Sequence, residues 1–392
     1  MPAQSFGFAL FLFCYYAYAG TFSSYASLFF RGRGMSVAEI GVLMSLIQVL
    51  RIFGPNVWGY VADHSERRVF VLRLTGCAAL TAFSGFYIGS TFAAYFAAMV
   101  LLNLFTSAQG PICEALMISE MRGDLTHYGR LRLWGSIGFI VTVMLASYAM
   151  DWFGTEALLP VAGALLVCVI GAAFHLREVP RMTHAGEKPA LMAVLRKREV
   201  IAFFASTALM VAAHTSLYTF YSLYLEHHGY SKAVTGVMWS LGVVAEVMLF
   251  YWQAPVLKRF GPKRLMFLCF AIGIVRFNLM GAAPKSLAIL VIAQTMHAAT
   301  FALHHSSSVV TMQRWFAGAL QARGQALYIS VSYGLGGTLG GLFLTRCWDA
   351  MGPESVYFVA AGLVAAGAVA AALSFRWQRK DAQAAVLLAG SV

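Results

Sequence analysis

Six of the ionisable side chains inside long apolar stretches of this 392-residue sequence are candidates for chemistry: Arg51, Glu114, Arg132, Glu246, Arg276 and His297. In hydrocarbon each costs at least about 2.5 kcal/mol unless it is paired or hydrated, so such residues mark buried pairs or a polar cavity. Arg51, Glu246, Arg276 and His297 each stand about twelve residues from a charged residue at the end of their stretch, namely Asp63, Lys258, Arg264 and Lys285. With a rise of ~1.5 Å per helical residue, that places them about 18 Å from an edge, near the midplane of a bilayer. Four polar groups at one depth are what a central binding site requires; buried interhelical pairs are the other reading. An arginine fork can hold both oxygens of a carboxylate, and a buried glutamate such as Glu246 can load and release a proton. His214, His304 and His305 read as packing or cavity-lining groups rather than metal ligands.

The elements that position these groups follow from composition. The chain is 60% hydrophobic and 11% charged, with a mean hydropathy of +0.71, whereas soluble domains are about 25% charged. Twelve apolar stretches are each long enough to cross a membrane as a helix. They cover approximately 6 to 30, 39 to 61, 69 to 90, 92 to 118, 132 to 152, 156 to 176, 200 to 225, 233 to 255, 265 to 283, 286 to 312, 324 to 346 and 354 to 376. The first is expected to stay in the mature chain, because it lacks a basic leader and is followed by Arg31 and Arg33 rather than a cleavage site.

The net charge of +12 does not point to nucleic acid, because the charges sit in short loops and at stretch ends. Most of the 28 Lys and Arg fall on one side if both termini are cytoplasmic, as expected of a bacterial-type inner membrane protein. The six cysteines have no CxxC or metal-ligand spacing. No HExxH, GxSxG or nucleotide-binding motif occurs, so an enzyme is not expected. Neither a metal nor a cofactor is expected; a proton is the candidate coupling ion.

A polar linker at 177–199 separates six stretches from six, and the basic pairs Arg67-Arg68 and Lys263-Arg264 lie half the chain apart. This is the trace of a duplicated unit. The expected organisation is a six-helix bundle at 1–176, a cytoplasmic linker at 177–199, a second six-helix bundle at 200–376 and a cytoplasmic tail at 377–392.

Gly59, Asp63, Arg67 and Arg68 resemble the loop signature of the major facilitator superfamily, with His64 and Glu66 where that family carries a basic residue and a glycine. The resemblance implies an all-α fold of two pseudo-symmetric six-helix bundles and a charge latch at this loop. The run His127-Tyr-Gly-Arg130-Leu-Arg132-Leu-Trp134-Gly-Ser-Ile-Gly138-Phe139 looks like the fifth helix of the lactose permease family. It implies that Arg132 pairs with Glu114 and binds substrate, and Phe139 replaces the tryptophan on which a sugar stacks. Gln294 to Thr300 resembles the tenth helix of that family, with Thr300 at the place of its proton-carrying carboxylate.

Tyr230-Ser231, Trp239-Ser-Leu-Gly-Val-Val-Ala-Glu246-Val, Val275-Arg276 and Met280-Gly281 resemble the phenylpropionate permease family. Together these resemblances imply a monomeric proton-coupled importer of a small aromatic carboxylate. They place Glu114, Arg132, Arg51, Arg276 and Phe139 at the substrate, and Glu246 with His297 at the proton. A sugar or nucleoside symporter is the alternative, favoured by Glu114 and Arg132. A non-transporting membrane sensor is expected to carry a larger soluble domain than the tail after Arg376.

Overall fold

The computed structural model describes residues 4–65, 67–121, 127–179, 191–317 and 320–389, without the side chains of 63, 322 and 380–389. Among the described residues there are helices and turns but no strands. Twelve helices are long and apolar enough to span a membrane: α1 (Ser5–Gly32), α2 (Val37–Ala62), α3 (Arg68–Ile88), α4 (Phe92–Glu120), α5 (Tyr128–Phe153), α6 (Thr155–Ala173), α7 (Arg198–Tyr218), α8 (Lys232–Phe260), α9 (Pro262–Ala282), α10 (Leu287–Met312), α11 (Arg323–Met351) and α12 (Ser355–Arg379). The seventh expected span is interrupted: α7 stops at Tyr218, and a short helix, Tyr221–His227, follows a turn.

The chain forms two compact units, Met1–His184 with Leu217–Val247, and Ala185–Ser216 with Met248–Val392. Their boundaries differ from the sequence halves. The end of the seventh span from Leu217 and the first half of α8 belong to unit 1, and α7 as far as Ser216 belongs to unit 2.

The duplication is legible in the turns. Gly34 and Gly229, and likewise Gly154 and Gly352, lie about half the chain apart and all have φ between 80° and 88°. Only glycine adopts that left-handed region cheaply. Gly34 leads into Ser36 and α2, and Gly229 into Ser231 and α8.

Within each unit, helices approach through small residues, as expected where lipid supplies no hydrophobic drive for helix association. In unit 1, a Cβ on Gly138 of α5 would collide with the backbone carbonyl of Phe13 on α1, and one on Gly20 of α1 would enter the Phe139 ring. In unit 2, Gly336 and Gly340 of α11 lie against the backbone of Ala208 and Ala212 on α7. Gly362 meets nothing within 4 Å. Gly138→Ala and Gly340→Ala are therefore expected to destabilise the purified protein by about 1–3 kcal/mol each through overpacking. Gly362→Ala should leave the melting temperature unchanged, and thermal unfolding of the three variants in detergent checks the contrast.

Candidate functional site

In unit 1 the sequence places Arg132, Gly135 and Phe139 on one face of α5, spaced by three and four residues. That face meets α1. The Arg132 guanidinium lies over the Tyr16 ring, 4.1 Å from its centroid, and its Nε lies 3.3 Å from Oε1 of Glu114 on α4. Gly135 keeps the approach open, since a Cβ there would enter Tyr16. About a third of each charged side chain remains exposed, 35% for Arg132 and 32% for Glu114. The pair is thus held but reachable by a ligand. An exposed pair contributes at most about 1 kcal/mol to stability in water; within a span each partner also offsets the cost of the other's charge.

Arg51 of α2 is exposed and its Nη1 donates to Oε1 of Gln48, one turn earlier, at 3.1 Å. Tyr15 of α1 lies within electrostatic reach of Arg51, Glu114 and Arg132 together. Its ring packs against Gly110 of α4 and edge-on to Tyr16, with centroids 5.0 Å apart. Unit 1 therefore gathers two guanidinium groups, one carboxylate and the rings of Tyr15, Tyr16 and Phe139. The tyrosines were not singled out by sequence. Their only signal is a pair of hydroxylated rings, Tyr15-Tyr16, inside the first span.

In unit 2 Arg276 of α9 is fully buried. Its Nε donates to the Ala293 carbonyl (2.8 Å), Nη2 to Oε1 of Gln294 (2.8 Å), and Nη1 to Nδ1 of His297 (3.0 Å) and Oγ1 of Thr300 (2.9 Å). These acceptors come from consecutive turns of α10, where a π-helical turn spans Ala299–Leu303. Such turns re-aim side chains and cluster at functional positions. Arginine has no acceptor, so Nδ1 of His297 must be bare and its proton must sit on Nε2. His214 of α7 joins the same network. Its Nδ1 is 2.8 Å from the Met210 carbonyl and donates there, and its Nε2 lies 3.2 Å from the Thr300 hydroxyl, which also stands 3.2 Å from the His297 carbonyl. Hydrogen bonds thus link Arg276 through Thr300 and His214 to a backbone carbonyl, with His297 neutral. A further proton on His297 would displace Arg276.

Spacing along the spans puts Glu246, Arg276 and His297 at one depth. The structure joins Arg276 to His297, whereas the partly exposed Glu246 belongs to unit 1.

Near the end of α2, a Cβ added to Gly59 would meet nothing within 4 Å, and the side chain of Asp63 lies outside the described residues. Arg68 Nη1 donates to Ser119 Oγ at 3.1 Å, and the Arg67 backbone N–H to Ser65 Oγ at 3.4 Å. The first turn of α3 is capped by Glu178, whose Oε1 accepts from the Val69 and Phe70 N–H groups at 2.8 and 3.3 Å. Sequence reading missed Glu178, since a carboxylate in a linker carries no local sign of the helix it caps.

Residues 6–359 match the model of the MFS_1 like family. The chain belongs to this family, that of major facilitator transporters. It is 28% identical over 334 residues to the "Probable 3-phenylpropionic acid transporter" of Escherichia coli, covering 83% of this chain and 86% of that one. It is 23% identical over 320 residues to the maltose permease of Geobacillus stearothermophilus, covering 80% and 81%. The crystal structure of the nucleoside transporter NupG superimposes with a TM-score of 0.83 at 18% identity, covering 95% and 99% of the two chains; it shares the fold. The family member described here is thus a multi-pass membrane transporter of a small molecule, not an enzyme.

The bridging hydroxyl of Thr300 generates a test. Thr300→Val keeps the shape but removes the acceptor for Arg276 and the hydroxyl partner of His214, and a hydrogen bond to a buried charge is worth about 1.5–3 kcal/mol. Thr300→Val is expected to lower stability by that amount and Thr300→Ser to lose little, as read by thermal unfolding.

Proposed function

We propose that this family member imports a small aromatic carboxylate together with a proton, by alternating access. The observation that carries the reading is the charge balance around Tyr15. Two guanidinium groups, Arg51 and Arg132, and one carboxylate, Glu114, lie within electrostatic reach of Tyr15, and Glu114 pairs with Arg132. With Glu114 engaging Arg132, one positive charge is left over at this cluster. An anionic head group neutralises it, and Arg51 offers the planar fork that suits a carboxylate. Tyr15, Tyr16 and Phe139 offer faces and edges to an aryl ring. The similarity to the phenylpropionic acid transporter supports the same class.

In this reading Glu246 carries the coupling proton. It is the one carboxylate set deep within the spans of the second sequence half, since Thr300 holds an uncharged hydroxyl in α10. Neutral Glu246 tolerates a drier environment than its ionised form, so proton loading can bias which way the cavity opens. Arg276 and His297 act as the fixed polar wall of unit 2. Arginine and histidine donors committed to α10 give that wall a defined shape. The second reading, a sugar or nucleoside symporter, rests on the similarity to the maltose permease and on the Glu114 and Arg132 pair.

Uptake by proteoliposomes under an inward proton gradient separates the readings. Accumulation of 3-phenylpropionate or a related aryl acid, with nucleosides and maltose left at background, is the expected result; the reverse pattern refutes it. In the same assay Glu246→Gln should abolish uphill accumulation while sparing counterflow exchange. Normal proton-driven accumulation in the folded variant would remove Glu246 from the coupling step.

A further inference from the structure

The first turn of α8 is held from outside its own sequence neighbourhood. The corresponding helix of the first half, α2, is closed locally by a capping box. The Glu39 N–H donates to Ser36 Oγ at 3.3 Å, while Glu39 Oε2 accepts from the Ser36 N–H at 2.8 Å. At α8 the serine is retained and Ser231 Oγ accepts from the Val234 N–H at 3.2 Å. The box acid is not retained, since Val234 stands where α2 has Glu39. Two of the other first-turn N–H groups, of Lys232 and Ala233, donate to Oδ1 and Oδ2 of Asp151 at 3.0 and 2.8 Å. Asp151 is in the last turn of α5, in the other sequence half. Both oxygens of one carboxylate thus take up two of the exposed donors of a helix start, where the helix dipole also favours negative charge.

Around this contact, the same helices meet without intervening bulk. A Cβ on Gly236 of α8 would fall against Ser147 of α5 and the Tyr25 hydroxyl of α1. That hydroxyl donates to the Val143 carbonyl at 3.0 Å. Ser222 Oγ, in the short helix after α7, donates to the Ser24 carbonyl at 2.5 Å and accepts from Trp239 Nε1 at 3.0 Å. Lys232 Nζ is turned to Glu226, 3.4 Å away, so its charge does not compete for Asp151 in this arrangement.

We propose that Asp151 is the latch that closes the end of the transporter bearing the 154 and 229 turns, by capping α8 from α5. Opening that end separates the two sequence halves there and must break both hydrogen bonds at once. A local cap like Glu39 would stay satisfied in either state; a cap lent by another helix is satisfied in the closed state alone. The inference rests on the alternating-access reading above, but not on the identity of the substrate.

The test is maleimide labelling of Ser147→Cys, a buried position behind the latch, in purified detergent-solubilised full-length protein without substrate. Labelling of the six native cysteines is subtracted using the parent chain. Losing a cap of this kind shifts an equilibrium by a factor of about 5–30, so Asp151→Ala should raise the labelling rate by that factor. Asp151→Asn, which keeps one carbonyl acceptor, should give a smaller rise and serves if the alanine variant does not fold. Ser231→Ala removes the cap that α8 provides for itself without touching the bridge to α5, and should leave labelling within about twofold of the parent. Unchanged labelling in folded Asp151→Ala and Asp151→Asn protein overturns the latch. So does an equal rise in Ser231→Ala, which would reduce the effect to fraying of α8.

Discussion

A charge inside hydrocarbon must have partners, and this requirement organises the interior of both units. Arg276 cannot be deprotonated to escape its cost, so α9 and α10 are tied together by four acceptors from Ala293, Gln294, His297 and Thr300. The same demand explains why α10 winds through a π-helical turn at that level, and why His214 of α7 is drawn into the network. In unit 1 the constraint is met differently. Arg132 spreads its charge over Glu114 and the face of Tyr16 while remaining about a third exposed. The contrast between a sealed guanidinium and an accessible one divides the roles. In the proposed function Arg276 builds the wall, and Arg132 with Arg51 meets the ligand.

The glycines serve this arrangement. Arg132 can reach Tyr16 because Gly135 and Gly138 bring α5 against the α1 backbone, and Phe139 can pack there because Gly20 leaves the space. Helix packing and site geometry are therefore one problem in unit 1, solved by small residues on the face that also carries the charge.

Much of this was legible in the sequence, for a physical reason. Ionisable residues inside apolar stretches are too costly to be incidental, so Arg51, Glu114, Arg132, Glu246, Arg276 and His297 announced themselves, as did the twelve spans. Arg132 with Glu114, and Arg276 with His297, are brought together. Residues whose role depends on tertiary placement were not legible. Tyr15 and Tyr16 look like lipid-facing aromatics until Arg132 lies over one of them. Glu178 and Asp151 look like topogenic loop charges until α3 and α8 are seen to begin beside them. Nor could spacing foretell that the seventh span breaks after Tyr218 or that the packed units trade segments across the sequence halves. Those features reflect which helix faces meet, and hydropathy records only that they are apolar.

The central claim is that the excess guanidinium charge near Tyr15 selects an anionic aryl ligand. Its most direct test is the affinity of the purified protein for 3-phenylpropionate against that of the neutral, nearly isosteric 3-phenylpropanamide, measured by titration calorimetry. The acid is expected to bind more tightly by about 10- to 100-fold, as a charge-assisted hydrogen bond worth about 1.5–3 kcal/mol implies, and Arg51→Gln is expected to remove most of the difference. Equal affinity for acid and amide in the unaltered protein would contradict the claim.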